Sequence, residues 1–600
     1  MAYEVGNGTT IRQLLGGTVK YTVPRYQRKY VWTDKHWQDL FEDLLFVYNL
    51  EAGDVKHFFS TFILEKLGNE GGIDCFSVID GQQRISTVSA MLSAVCRLLI
   101  ERGAQARHSM LVQYLSATDE RGKYIKIGNE NVDLLGEIIG DNIEFISANE
   151  LRPLGTKAYH TYSAEQKNIY KCYMFFYDKI RKLIRSDRTE SEIEKLMKFS
   201  NCLLDMQIVQ IIVDKEQEGY DIFEILNARG TPLAQHELLK NYIFKYYKPI
   251  GDIDIAKQKW ANIESLLTAK SQSALSNFID HYTVHKYGKA DRINTVLRVI
   301  KKANSTNNTK EILEDLYRKS RFYKWIISPV DFRDNDLFDK IEFTSNIYSI
   351  LVYFDLKKQS QFRPLILSLF SRLDEYRLAS ETGAEDPEQA ARLKREYRDY
   401  EKKVDAAMTH LLDMSIIELV IKKQQPKVFE NKVHELARNI ESGACEIDKI
   451  YETLKISITY DMFVSSFCVL GYSNKTELYN RDRTKTDIRQ LLRMYELYRQ
   501  GTDELTIDKM TIEHIMNDSE NDIHSCYIGN LLPLADSIQR KIDGKPEFDK
   551  KVPFYRESSF ETVKEFLNNY GDVGQWNENL IKNRSRELAN TFYYNIFKLE

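Results

Sequence analysis

The segment from Cys75 to Leu99 constrains the fold more than any other. The apolar run Cys75 to Ile79 ends in Asp80-Gly81 and passes at once into a pattern carrying Ile85, Val88, Leu92, Val95 and Leu99. A short apolar run bounded by a turn fits a buried strand, and spacing of three and four fits one face of a helix. Strand, tight turn and helix start therefore adjoin, which predicts a mixed α/β N-terminal part. Val19 to Val23, His57 to Leu64 and Gln207 to Val213 read as further strands, and a helix starts near Asp34, ahead of Trp37, Leu40, Leu44 and Leu45.

Elsewhere helix dominates. Only 27 glycines and 11 prolines interrupt 600 residues, and residues 250 to 470 follow a helical period with a heavily charged span, Glu385 to Lys403, that reads as a solvated helix face or hairpin arm. The texture changes again near Asn474, with a basic helix (Arg489, Arg493, Arg499), a β run at Met510 to Met516 and an apolar run from Ile528 to Leu534. The predicted class is α+β, predominantly helical, with domains at 1–248 (α/β), 249–473 (helical scaffold) and 474–600.

A net charge of -4 offers no global cationic field, so any nucleic-acid site is local. Seven scattered cysteines without a C-x-x-C pair exclude a Cys-ligated zinc ribbon and argue against a disulfide framework. The N-terminus lacks a basic and an apolar signal region, and Arg97 interrupts the apolar stretch Met91 to Ile100. These features predict a cytoplasmic protein without a membrane partner.

Two groups of residues carry the chemistry. In Val78-Ile79-Asp80-Gly81-Gln82-Gln83-Arg84 a sharp turn opens a helix, whose N-terminal dipole and an arginine suit an anion. Pro24-Arg25-Tyr26-Gln27-Arg28 adds guanidinium groups beside an aromatic ring, able to bind phosphate and stack a base, and Asn227-Ala228-Arg229-Gly230 adds an arginine at a helix break. Each segment read alone is an ordinary turn, and together they predict one pocket.

Those segments, extended to Val23 through Trp32 and to Ile222 through Leu233 with Leu238-Leu239-Lys240-Asn241, resemble three signature stretches of the ParB/sulfiredoxin-like domain in GmrSD-type, modification-dependent (type IV) restriction endonucleases. The resemblance implies a domain that binds and hydrolyses a nucleoside triphosphate, with Asp80, Gly81, Gln82, Gln83 and Arg84 at the phosphates. The nucleotide is not specified, and no Walker A motif is present.

Downstream, Thr511-Ile512-Glu513-His514-Ile515, a polar loop, Asn530-Leu531-Leu532 and a following helix resemble the HNH (ββα-metal) nuclease motif. That resemblance makes His514 the general base, Asn530 the residue that pins its loop, and the helix the completion of a Mg2+ or Mn2+ site. The pattern expects Asn or His nine residues past Asn530, where this chain has Gln539, and Met516-Asn517 replaces the usual proline. Glu513 is the first metal candidate, with His514 and Gln539 beside it, and His524 could substitute. Lys550 and Lys551 are the preferred DNA-phosphate contacts. Ile528-Gly529-Asn530-Leu531, Phe548 to Lys551, Tyr555, Trp576, Ile581, Arg584 and Leu588 extend the likeness to the C-terminal half of the same enzymes. His281 and His285 share a helical face, which suits a metal, but no acidic third ligand sits at a diagnostic offset and no catalytic glutamate follows, so no metal is expected there.

The expectation is a single-chain restriction endonuclease whose nucleotide-binding domain gates cleavage of double-stranded DNA bearing modified bases, such as glucosylated hydroxymethylcytosine, in antiviral defence. The alternatives are a phosphorothioate-sensing nickase, a nucleotide-switched DNA-binding protein with a degenerate nuclease fold, and an NTPase that only docks a partner. The sequence leaves a homodimer open.

Overall fold

The computed structural model describes residues 3–24, 27, 30–49, 58–120, 122–129, 134–144, 164–185, 191–214, 235–247, 249–250, 254–271, 273–288, 308–332, 344–382, 386–501, 510–542, 544–545 and 547–599. The chain forms two compact units, residues 1–245 and 246–600. The boundary expected at 473/474 lies inside the second unit.

The first unit is built on a six-stranded mixed sheet. Its strands are β1 (Tyr3–Thr10), β2 (Val19–Val23), β3 (Phe58–Glu70), β4 (Ile73–Asp80), β7 (Ile127–Asn129) and β8 (Gln207–Val213), in the order β1-β8-β3-β4-β2-β7; β5 (Ser116–Asp119) and β6 (Gly122–Ile125) form a separate hairpin. The β1/β8 and β3/β4 pairs are antiparallel, and β8/β3, β4/β2 and β2/β7 are parallel. All four predicted strand runs are present. The stretch from 103 to 160, which showed no clear period, holds the helices Gln105–Val112 and Leu134–Ile143 besides the hairpin. Such elements are too short for a period to stand out.

The helix Gln82–Ile100 follows β4 through Gly81, as predicted, but it is buried on nearly every side rather than on one face. The face opposite its apolar stripe carries Ser89, Ala90, Ser93 and Ala94, all buried, so neighbouring elements can approach its backbone closely. Gly81 adopts φ 100°, a left-handed conformation, and a Cβ there would lie 2.4 Å from Phe62 Cδ1. Gly81→Ala is expected to cost about 2 to 4 kcal/mol, combining backbone strain with overpacking. Chemical denaturation checks this, and adding Phe62→Leu should recover only the packing part.

The helical segment of the second unit centres on Arg363–Thr382, whose buried residues include Leu365 to Phe370 and which packs against Pro387–Met414 and Lys427–Glu441. From Asp386 on, the charged span read as a solvated helix face or hairpin arm belongs to the start of Pro387–Met414, with Asp386 as the cap, whose side chain accepts from Gln389 N at 2.8 Å, and Pro387 in the first turn. His285 is buried and His281 half-buried: His281 Nδ1 bonds the Tyr323 hydroxyl at 2.7 Å, and His285 Nδ1 bonds Ser368 Oγ at 2.9 Å. Burial pushes His281 down to about 3, so its ring is neutral.

Near the end of Pro387–Met414, Asp413 has one carboxyl oxygen buried without a partner, and burial pushes the carboxyl up to about 8. Below the unfolded value, near 3.8, both states are protonated and this group costs nothing. Between that value and about 8 only the unfolded chain ionises, so stability falls as pH rises. Asp413→Asn is therefore expected to stabilise the protein most above about pH 8 and hardly at all near pH 4. Denaturation midpoints at both ends test it, and equal pH slopes for the two proteins would refute it.

All seven cysteines are free thiols, and among the described residues no helix is long and apolar enough to cross a membrane.

Candidate active site

At the C-terminal end of β4, Gln27, Asp80, Gln83 and Arg84, all expected around a nucleotide, make internal contacts. Gln27, 8% exposed, donates through Nε2 to the carbonyls of Ile79 (2.8 Å) and Val78 (3.4 Å), which holds it against the strand. Gln83 Oε1 accepts from Val31 N (2.8 Å) and Trp32 N (3.3 Å), which fixes the approach to the helix Asp34–Asn49. Arg84 pairs with Asp80 at 3.1 Å, donates to Ser60 Oγ and the Thr61 carbonyl, and lies over the Phe62 ring at 5.8 Å. Its guanidinium is thus held by β3 and β4. Gln82 and Gln83 line a small cavity with Tyr30, Ser86 and Ile127. Asp80, Gly81, Gln82, Gln83, Arg84 and Gln27 are brought together. Arg25, Arg28, Asn227, Arg229 and Gly230 lie outside the described residues.

The C-terminal group is more completely defined. β9 (Met510–His514) pairs antiparallel with β10 (Leu531–Ala535), matching His514 with Leu531 and Glu513 with Leu532, and the helix Asp536–Ile542 follows directly. This is a strand, loop, strand, helix unit. The core beneath it joins Ile515, Leu532, Leu534 and Ile538 to Phe548, Val552, Tyr555, Phe566 and Trp576.

Asn530 is fully buried at the junction of loop and β10. Its Oδ1 accepts from Met516 N (2.7 Å) and Trp576 Nε1 (3.0 Å), and its Nδ2 donates to the carbonyls of Met516 and Ser525 (both 2.7 Å). One amide thus ties both ends of the loop and a core tryptophan. The carbonyls on either side, of Gly529 and Leu531, accept from Arg584 Nη1 at 2.7 and 2.9 Å. Burial lowers Arg584 to about 10, and its guanidinium lies over Phe566 at 5.2 Å. Gly529 is required by space, because a Cβ there would lie 2.2 Å from the Ile581 carbonyl oxygen.

Neighbours on a strand point to opposite faces, and Glu513 and His514 do so. His514 Nε2 lies 2.8 Å from the Tyr472 carbonyl oxygen. A carbonyl only accepts, so Nε2 carries the proton and Nδ1 of the neutral ring keeps its lone pair. Glu513, 4% exposed, faces the following helices: Oε1 accepts from Lys551 Nζ (2.8 Å) and the Tyr555 hydroxyl (3.2 Å), and Oε2 accepts from Gln539 Nε2 (2.6 Å).

The expected metal donors therefore do not fit a divalent ion in this arrangement. Both Glu513 oxygens have donors, Gln539 presents its NH2 and not its oxygen to Glu513, and His514 lies on the other face. Among the described residues no three His, Cys, Asp or Glu side chains could share a metal. His524 is held by Asp522 (3.1 Å) and Glu578 (3.2 Å).

Of the two lysines expected at DNA phosphates, Lys550 is exposed and pairs with Glu547, whereas Lys551 is 2% exposed. Its ammonium also donates to the carbonyls of His514 and Ile515 and to Asn517, which leaves it no access to a DNA backbone. A signal for this burial was present in the sequence: Phe548, Lys551, Val552 and Tyr555 share one helical face, and Lys550 does not. Sequence reasoning assigned no role to Tyr472, Trp576 or Arg584, whose contributions come from residues distant along the chain.

The family described as GmrSD restriction endonuclease, N-terminal domain, matches residues 11–244, and that described as GmrSD restriction endonucleases, C-terminal domain, matches residues 472–591. No curated protein matches the chain.

Proposed function

We propose, from the premise that the chain belongs to the GmrSD restriction endonuclease family, that it is a type IV enzyme in which His514 is the general base for hydrolysis of DNA carrying modified bases. The observation that carries this reading is the fixed tautomer of His514, whose Nδ1 is left as a proton acceptor beside a loop held by Asn530. In the proposed step His514 Nδ1 takes a proton from water, the water oxygen attacks phosphorus, one P–O bond breaks to leave a phosphate monoester, the leaving oxygen takes a proton from solvent to become a hydroxyl, and His514 returns its proton to solvent. No part of this step runs through a metal held by Glu513, His514 and Gln539.

Nucleotide binding by the first unit belongs to the same proposal. The support is the helix start at Gly81, with Asp80 and Arg84 beside it. In the ion-paired arrangement Arg84 is engaged by Asp80, so a nucleotide would compete with that pair for the guanidinium.

The test is digestion of glucosylated hydroxymethylcytosine DNA and matched unmodified DNA, with magnesium or manganese and with each nucleoside triphosphate in turn. Selective cutting of the modified DNA that requires one nucleotide supports the reading. Nucleotide hydrolysis with no cutting of either DNA, or of phosphorothioate DNA, would replace it with a nucleotide-switched DNA-binding protein.

A further inference from the structure

Lys551 sits on the helix Phe548–Tyr555, and its side chain ends among four oxygens. They are Glu513 Oε1 at 2.8 Å, the His514 carbonyl at 2.7 Å, Asn517 Oδ1 at 2.8 Å and the Ile515 carbonyl at 3.2 Å. One carboxylate oxygen, two carbonyls and an amide oxygen form a donor set suited to a hard cation. The chain fills it with its own ammonium, at ordinary hydrogen-bond distances.

We infer that Lys551 is the internal cation of this site, a positioning residue that fixes the backbone carrying His514, and that Glu513 is its counter-ion and not a ligand of a divalent metal. The inference rests on the nuclease reading for its effect on cleavage, and on geometry alone for the pairing. His514 is held at two points: its ring by the Tyr472 carbonyl through Nε2, and its backbone by Lys551, which binds the carbonyls of both 514 and 515. Glu513 has no remaining reason to seek a metal. Its two oxygens receive three donors, and its side chain leaves the strand on the face away from the imidazole. Because the pair is buried, at 3% and 6% side-chain exposure, removing one partner strands the other charge, whereas removing both does not.

Four variants of the full chain, Glu513→Gln, Lys551→Met, the double variant of these two, and Lys551→Ala, test this by two measurements that need no DNA and one that does. Manganese titrated into DNA-free protein and followed by electron paramagnetic resonance should give the same binding curve for wild type and Glu513→Gln. A loss of binding of about tenfold or more in Glu513→Gln would overturn the inference, since that is the effect of deleting a ligand. In thermal melts Lys551→Met should fall well below wild type, and the double variant should recover at least about half of the loss. Simple additivity of the two single losses would overturn the pairing.

For cleavage, Lys551→Ala should lower kcat by about tenfold or more with KM for DNA within about twofold, and propylammonium should restore part of the rate by refilling the cradle. Unchanged kcat, or a loss that no amine restores, would overturn the positioning role. If Lys551→Ala does not fold, Glu513→Gln, nearly isosteric, still decides the metal question through the titration. A wild-type chain that cuts no DNA would remove the nuclease reading, while the titration and the melts would still judge the pairing.

Discussion

His514→Ala is expected to lower cleavage of a susceptible DNA by about 10²- to 10⁴-fold under single-turnover conditions, the usual contribution of a positioned base. The ring also donates to the Tyr472 carbonyl and packs 5.9 Å from the Tyr472 ring, contacts whose loss costs about 1 to 3 kcal/mol, so the variant should be less stable yet fold and bind nucleotide. The two effects separate because the base acts only in the transition state. Cleavage within about threefold of wild type would remove His514 from the reaction and leave the strand histidine as a packing residue.

Asn530→Ala is expected to have the largest effect on stability, about 4 kcal/mol, read as a shift of the denaturation midpoint. The side chain is fully buried and makes four hydrogen bonds, so truncation leaves the Met516 amide and the Trp576 indole N–H without an acceptor. Each stranded buried group costs about 1 to 3 kcal/mol. Aspartate is not a conservative replacement here. Its second oxygen would face the carbonyls of Met516 and Ser525, so Asn530→Asp should be at least as damaging as the alanine variant. A loss below about 1 kcal/mol would show that the Arg584 clamp on the flanking carbonyls holds the loop by itself.

Much of the architecture could be read directly. The junction from β4 through Gly81 into the helix Gln82–Ile100 is visible because strand and helix leave different local periods and because one glycine must turn between them. The same holds for β9, β10 and the helix Asp536–Ile542, which follow the order expected from Glu513, His514, Asn530 and Gln539. The roles of charged residues were less legible. Arg84, expected to face a phosphate, is occupied by Asp80, Ser60 and Thr61, and two of these partners lie on a strand about twenty residues earlier. Lys551, read together with Lys550 as a basic pair, parts from it in the structure because a helix turns about 100° per residue.

The sequence by itself determined the junction from β4 through Gly81 into the helix Gln82–Ile100, and which imidazole and which amide belong to one strand, loop, strand, helix unit. Local backbone geometry sets those periods, and they survive without knowledge of any neighbour. Only the tertiary structure decided that Glu513 meets Lys551, Tyr555 and Gln539, that the Tyr472 carbonyl selects the tautomer of His514, and that Asn530 is clamped between Trp576 and Arg584. Burial and ion pairing depend on which faces come together in space, and residues from 472 to 584 contribute to this one site.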